Sequence, residues 1–277
     1  MKTRNTLFWS LLACWPLAGL CQVKAGAVPA STAAASRPTV HPWQAPPSNI
    51  SAEAYFTNLQ NGASIETPYK ATFGLAGGWG LASIASPVAG KSGHHHLLVN
   101  RDLPLDFQQA LPFNDQYIHF GKGQMETVLT LAPGTYTLRL LLADDKHLPR
   151  FVYSKPLKIT VTRKNKDVDP KSLIKKEITL LNMAPGGRQK SPFRLQFQAS
   201  ALNVSHMSQK EKDTGHFRLT LTPQGASKPA EMDFIQGQTE VWLAPPAGAY
   251  TVKLDFLDNL DPTNALVDSV SAAIKVD

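Results

Sequence analysis

The second half of this chain repeats the first, and that repetition limits the available folds more than any other feature of the sequence. "IETPYKATFGL" returns as "QKSPFRLQFQA" and "GHHHLLV" as "GHFRLTL". "FGKGQMETVLTLAPGTYTLRLLLAD" returns as "FIQGQTEVWLAPPAGAYTVKLDFLD", and "KPLKITV" as "VSAAIKV", all in the same order. Self-similarity at this spacing predicts two copies of one domain, over residues 50–163 and 177–277. The stretch 164–176, "KNKDVDPKSLIKK", is charged and carries one proline, so it reads as a solvated hinge.

Within each copy the signals are short alternating runs rich in Thr, Val, Leu and aromatics, broken by Gly, Pro, Asn and Asp, with no sustained helical period. This predicts an all-β fold, two tandem antiparallel β-sandwiches. "LAPGTYTLRL" and "PPAGAYTVKL" each place a tyrosine just inside a strand after a tight turn. That is the arrangement of a tyrosine corner, which makes the sandwiches immunoglobulin-like and gives Tyr136 and Tyr250 a structural role.

The N-terminus bears on the compartment. Residues 1–25 hold Lys2 and Arg4, an apolar run from Leu7 to Leu20 and then small residues, the layout of a cleaved secretory signal. Pro16 and the shortness of the run argue against a membrane anchor, which needs about 20 apolar residues. The mature chain is therefore expected in the periplasm or outside the cell, without a transmembrane span. Residues 26–49, rich in Ala, Ser and Pro, read as a disordered tether.

Both cysteines, Cys14 and Cys21, fall in the signal, so the mature chain has no thiol for disulfides, thiolate metal sites or nucleophilic catalysis. Cleavage also removes Lys2, Arg4 and Lys24, taking the formal charge from +7 to +4. That is too mild to argue for nucleic acid as a partner.

The repeat assigns strand faces. In "GHFRLTL" the alternating set Phe217, Leu219 and Leu221 must face the core. By overlay, His95 points inward as a structural core histidine, while His94, His96 and Leu98 point outward. The same overlay turns His119 outward, with Asp233 in its place in the second copy.

Four separated blocks of the first copy, "GHHHLLV", "YIHFGKGQME", "PGTYTL" and "DDKHLPR", occur in the order found in a bacterial exported family, the domain of unknown function 4399. The chain resembles that family over most of residues 53–163, with a degenerate second copy, and the resemblance implies the fold and an exported address. Tyr117, Tyr136 and Arg150 stand where the family tends to carry histidine.

If "GHHHLLV" is strand C and "GTYTLRLLLAD" strand F, the start of one and the end of the other share a sheet edge, which brings His94 toward His147. One reading is a surface metal site of His94, His96, His119 and His147 with Asp144 and Asp145 as second shell. Imidazoles of this kind suit Zn or Cu. The other reading is simply the polar outer face of a sandwich. "HExxH", "GxSxG" and the phosphate-binding loop are all missing from the sequence. The expectation is therefore a non-enzymatic exported protein of the cell envelope. It would bind a transition metal, or serve without metal as a structural or protein-interaction module of the periplasm, its partner an unknown envelope protein or small ligand. The loop "LAGGWGLASIASPVAG", with Trp79 between glycines, reads as an insertion.

Overall fold

The alternating runs become strands in the computed structural model, which describes residues 40–46, 52–85, 88, 90–184, 186–225 and 228–277. The first copy comprises β1 (Ala54–Phe56), β2 (Ala63–Thr67), β3 (Tyr69–Leu75), β4 (Gly80–Leu81), β5 (Ser92–Val99), β6 (Tyr117–His119), β7 (Glu126–Leu129), β8 (Gly134–Ala143), β9 (Pro149–Tyr153) and β10 (Leu157–Lys164). The second comprises β11 (Glu177–Leu180), β12 (Gly187–Gln189), β13 (Phe193–Ser200), β14 (Asn203–Val204), β15 (Thr214–Pro223), β16 (Ala230–Asp233), β17 (Glu240–Leu243), β18 (Gly248–Asp258) and β19 (Val270–Val276).

In the first copy one sheet runs β1-β3-β7 and the other β2-β10-β8-β5-β4, with β6 on β5 and β9 on β8. The second copy repeats this as β11-β13-β17 and β12-β19-β18-β15-β14, with β16 on β15. Strand for strand the orders agree, β9 being the addition. The protein is thus all-β, two tandem immunoglobulin-like sandwiches. In the stretch 164–176, Lys164 closes β10 and Pro170–Leu173 make one 3-10 turn, started by Asp169 accepting the Lys171 N–H.

Register sets the core. Leu97 of β5 lies opposite Leu140 of β8, and in the second copy Phe217 lies opposite Phe256 and Leu219 opposite Leu254. All six are fully buried. Each such side chain contributes about 1.5–3 kcal/mol relative to exposure. The two tyrosines sit at equivalent places on β8 and β18: the Tyr136 hydroxyl donates to the Ala132 carbonyl at 3.0 Å, and that of Tyr250 to Pro246 at 2.7 Å.

Two expectations need correction. Residues 40–46 were expected in the tether, yet they lie on the second copy. Ala45 N–H donates to the Trp242 carbonyl and Ala244 N–H to that of Trp43, while the Trp43 ring meets Tyr250 edge-on at 5.8 Å. A single tryptophan anchors this segment, and average composition does not register a single anchor. The expected signal and the remaining tether residues lie outside the described residues.

The second correction concerns β5. Its outward face was expected at the surface, but all eight residues are buried. Residues 100–116, between β5 and β6, fold over that face. Leu98, Leu111, Leu141 and Ala143 make a second small core there, with Leu103, Phe107 and Tyr117 packed against it.

Candidate metal centre

Alternation along β5 splits the three histidines. His95 turns into the main core at 0% exposure, its ring edge-on to Phe73 at 5.6 Å, in the position Phe217 takes in the second copy. Neither of its ring nitrogens has a hydrogen-bond partner. Burial pushes its pKa down to about 3, so the ring is neutral.

His94 and His96 turn to the other face. His96 lies opposite His119 in the β5–β6 pairing, and His94 lies opposite Ala143, the last residue of β8. The turn that follows delivers His147. This residue takes the left-handed conformation, φ 62°, which few side chains other than Asn, Asp and His tolerate. The Asp144 carboxylate holds the turn: its Oδ1 accepts the N–H groups of Lys146 and Leu148, both at 2.9 Å, and its Oδ2 faces Arg150 Nη2 at 3.4 Å.

The four rings therefore converge, with all six centroid separations between 4.7 and 5.7 Å. The candidate ligand nitrogens all lie within 4.8 Å of one another. Nε2 of His94 is 2.9 Å from Nε2 of His96, and Nε2 of His147 is 3.3 Å from Nε2 of His119. An ion with nitrogen ligands at roughly 2.05 Å in tetrahedral geometry sets them about 3.3 Å apart. Neutral imidazole donors without a thiolate suit Zn(II) and Cu(II).

Electrostatics keeps the rings ready to ligate. His94 is pushed down to about 2 by burial first and then by the imidazoles of His96, His119, His147 and His95. His96 is pushed down to about 3 by burial and then by His119, His147 and His95, and His119 is lowered by burial and His147. Neutral nitrogens with free lone pairs are what a metal requires.

The second-shell expectation is corrected in kind. Among the described residues neither Asp144 nor Asp145 hydrogen-bonds an imidazole. Asp144 spends its carboxylate on the turn backbone, and Asp145 is exposed.

Two residues that sequence reasoning passed over shape the site. A Cβ at Gly121 would lie 2.3 Å from Cε1 and 2.5 Å from Nε2 of His119, so the absence of a side chain there makes room for that ring. Phe113 presents its ring edge-on to His147 at 4.6 Å and to His119 at 5.2 Å. The first was visible as the glycine two places after His119 in "HFGKG". The second lies in residues 100–116, a segment longer than its counterpart 224–229 in the other copy, and that difference in length was the signal available.

The second copy lacks the cluster. Arg218 pairs across to Asp233 in the register of His96 with His119, its guanidinium donating to both carboxylate oxygens at 2.5 and 2.8 Å. His216, equivalent to His94, donates from Nδ1 to Asn259 Oδ1 at 2.7 Å.

Fold and site together define a tandem immunoglobulin-like β-sandwich protein with a four-histidine cluster in its first copy. The chain belongs to the family described as Domain of unknown function (DUF4399), whose model matches residues 71–162 and 195–277. No curated protein matches it. Among solved structures it is similar to the fibronectin(III)-like modules of CbhA from Clostridium thermocellum, at 12% identity over 81% of this chain and 94% of that one, TM-score 0.24. It is also similar to a two-domain fibronectin type-III segment of chicken tenascin, at 11% identity over 81% and 98%, TM-score 0.23. The fold assignment stands on the strand order and register given above.

Proposed function

We propose that this is an exported, non-enzymatic binding protein of the cell envelope whose first sandwich holds one divalent transition metal ion, Zn(II) or Cu(II), through His94, His96, His119 and His147. The convergence of four imidazole nitrogens within 4.8 Å carries the reading. Two of the rings are almost fully buried, which is a costly place for polar groups that serve no purpose. Export rests on the signal-like layout of residues 1–25.

A second reading, a metal-free interaction module, draws on a different observation. Leu105 and Phe151 are largely exposed, with Phe107 stacked on Phe151 at 4.4 Å, and apolar surface of this kind marks contact sites.

The test is titration of Zn(II) and Cu(II) into the tag-free full chain, with metal content measured after desalting. One ion per chain is expected. His94→Ala and His96→Ala should each weaken binding by about tenfold or more, and Arg218→Ala in the second copy should leave it unchanged. No uptake, or uptake indifferent to His94 and His96, rejects the metal reading and leaves the interaction module.

A further inference from the structure

Residues 100–116 replace what is only residues 224–229 in the second copy, and the copy with the long segment is the one with the histidine cluster. The two features are physically joined. Leu111 is 4% exposed in the small outer core, and its N–H donates to the carbonyl of His147 at 2.9 Å. Two residues on, Phe113 lays its ring against both His147 and His119. Phe113 is nonetheless 62% exposed, and the aromatic rings it meets among the described residues are these two imidazoles.

The ligands also divide by how they are held. His94 and His96 stand on β5, locked by its pairing with β8. His147 sits on a turn, and His119 ends the three-residue strand β6, which leads directly out of residues 100–116. Two of the four imidazoles therefore take their positions from elements tied to this segment.

Resting on the metal reading above, we propose that residues 100–116 are the lid of the metal centre and that Phe113 is its positioning residue. Phe113 keeps His119 and His147 aimed at His94 and His96 and closes the outer side of the site. An ion bound to all four nitrogens fastens the lid to β5, and the ion leaves only when Phe113 lifts. Metal occupancy is then transmitted along the lid to Leu105 and Phe107, so the exposed apolar patch becomes better ordered in the loaded protein. The second copy, with one imidazole at this place and no lid, would not respond.

The test uses the full tag-free chain loaded with Co(II), whose visible absorption reports ligand geometry, and with Zn(II). Release is followed by stopped-flow transfer to a chelator. Phe113→Ala should release metal about tenfold faster or more and alter the Co(II) spectrum, because dissociation rates carry most such differences. Phe113→Tyr should restore both. Thermal stability of the metal-free protein should be the same in all three, as expected for an exposed ring. In parallel, hydrogen exchange of the wild type should slow in residues 100–116 on adding Zn(II) and stay constant in 224–229. Equal release rates and equal exchange with and without metal, in a wild type that does bind, overturn the lid and leave the metal reading intact. No uptake by the wild type overturns both.

Discussion

His95 shows how far one residue could be read and where reading stopped. The overlay on Phe217 places it in the core, and there it is, at 0% exposure with two unpartnered ring nitrogens. An unpaired buried polar group costs on the order of 1–3 kcal/mol. His95→Phe should therefore raise stability by about 1 kcal/mol at pH 7, once the fit of the larger ring is charged against that gain. The effect should grow in acid. The folded pKa is depressed to about 3 against about 6.5 in the unfolded chain, so below pH 6.5 the unfolded state binds a proton that the native state refuses. Stability is lost as pH falls from there toward 3, by at most about 1.4 kcal/mol per unit for this one group. Urea unfolding of both proteins, metal-free, from pH 7.5 to 5 checks it. A variant that tracks the wild type at constant offset would show that His95 is not the neutral, unpaired ring described here. His94 and His96 were equally legible as a same-face pair. Their burial was not, because the rings packed on them, His119 and His147, come from elements distant in sequence.

At the level of elements, the turn between β8 and β9 and the strand β6 decide whether the same-face pair becomes a four-ring cluster. Immunoglobulin topology nominates His147 from sequence, whereas His119 is nominated only by its outward face in the overlay, and its pairing beside β5 comes from the structure. The role of Asp144 could not be read from sequence, since a carboxylate near histidines suggests a bond to imidazole and only coordinates reveal a bond to backbone. Its Oδ1 accepts two N–H groups that bracket His147. Asp144→Ala should thus act through His147 alone: metal affinity falls by about tenfold, in the range typical of residues that orient a ligand. In the His147→Ala background the same change should cost little further, the non-additivity expected of two residues on one path. Asp144→Asn, which keeps an acceptor oxygen, should recover much of the loss. Full additivity in the isothermal titrations would place Asp144 outside the site.

Across the whole molecule the two copies clasp each other reciprocally. Leu81 of β4 donates its N–H to the Gly237 carbonyl at 2.8 Å, and the equivalent Val204 of β14 donates to Gly123 at 3.0 Å. The glycines in "GKGQ" and "QGQ" are thus interface residues, where a Cβ would strike the opposing carbonyl at 2.0 Å. Across the same junction the buried Glu126 accepts from the Ser200 hydroxyl at 2.7 Å and the Ala201 N–H at 2.8 Å, and Gln198 donates to the Met125 carbonyl at 3.0 Å. A charged linker reads as a hinge only while such contacts are unknown, because they join residues far apart in sequence. With them, and with one apolar core cluster spanning both copies, opening one sandwich strips partners from the other. Unfolding should therefore be a single transition with equal calorimetric and van't Hoff enthalpies. Glu126→Ala, which orphans the Ser200 and Ala201 donors, should lower stability by about 2–3 kcal/mol, the scale of hydrogen bonds to a charged acceptor. The loss should appear together in both copies, as faster hydrogen exchange in β5 and in β15 alike. Two resolved heat-absorption peaks, or protection lost in the first copy while β15 keeps its own, would mean that the sandwiches fold independently and that the reciprocal clasp contributes little to stability.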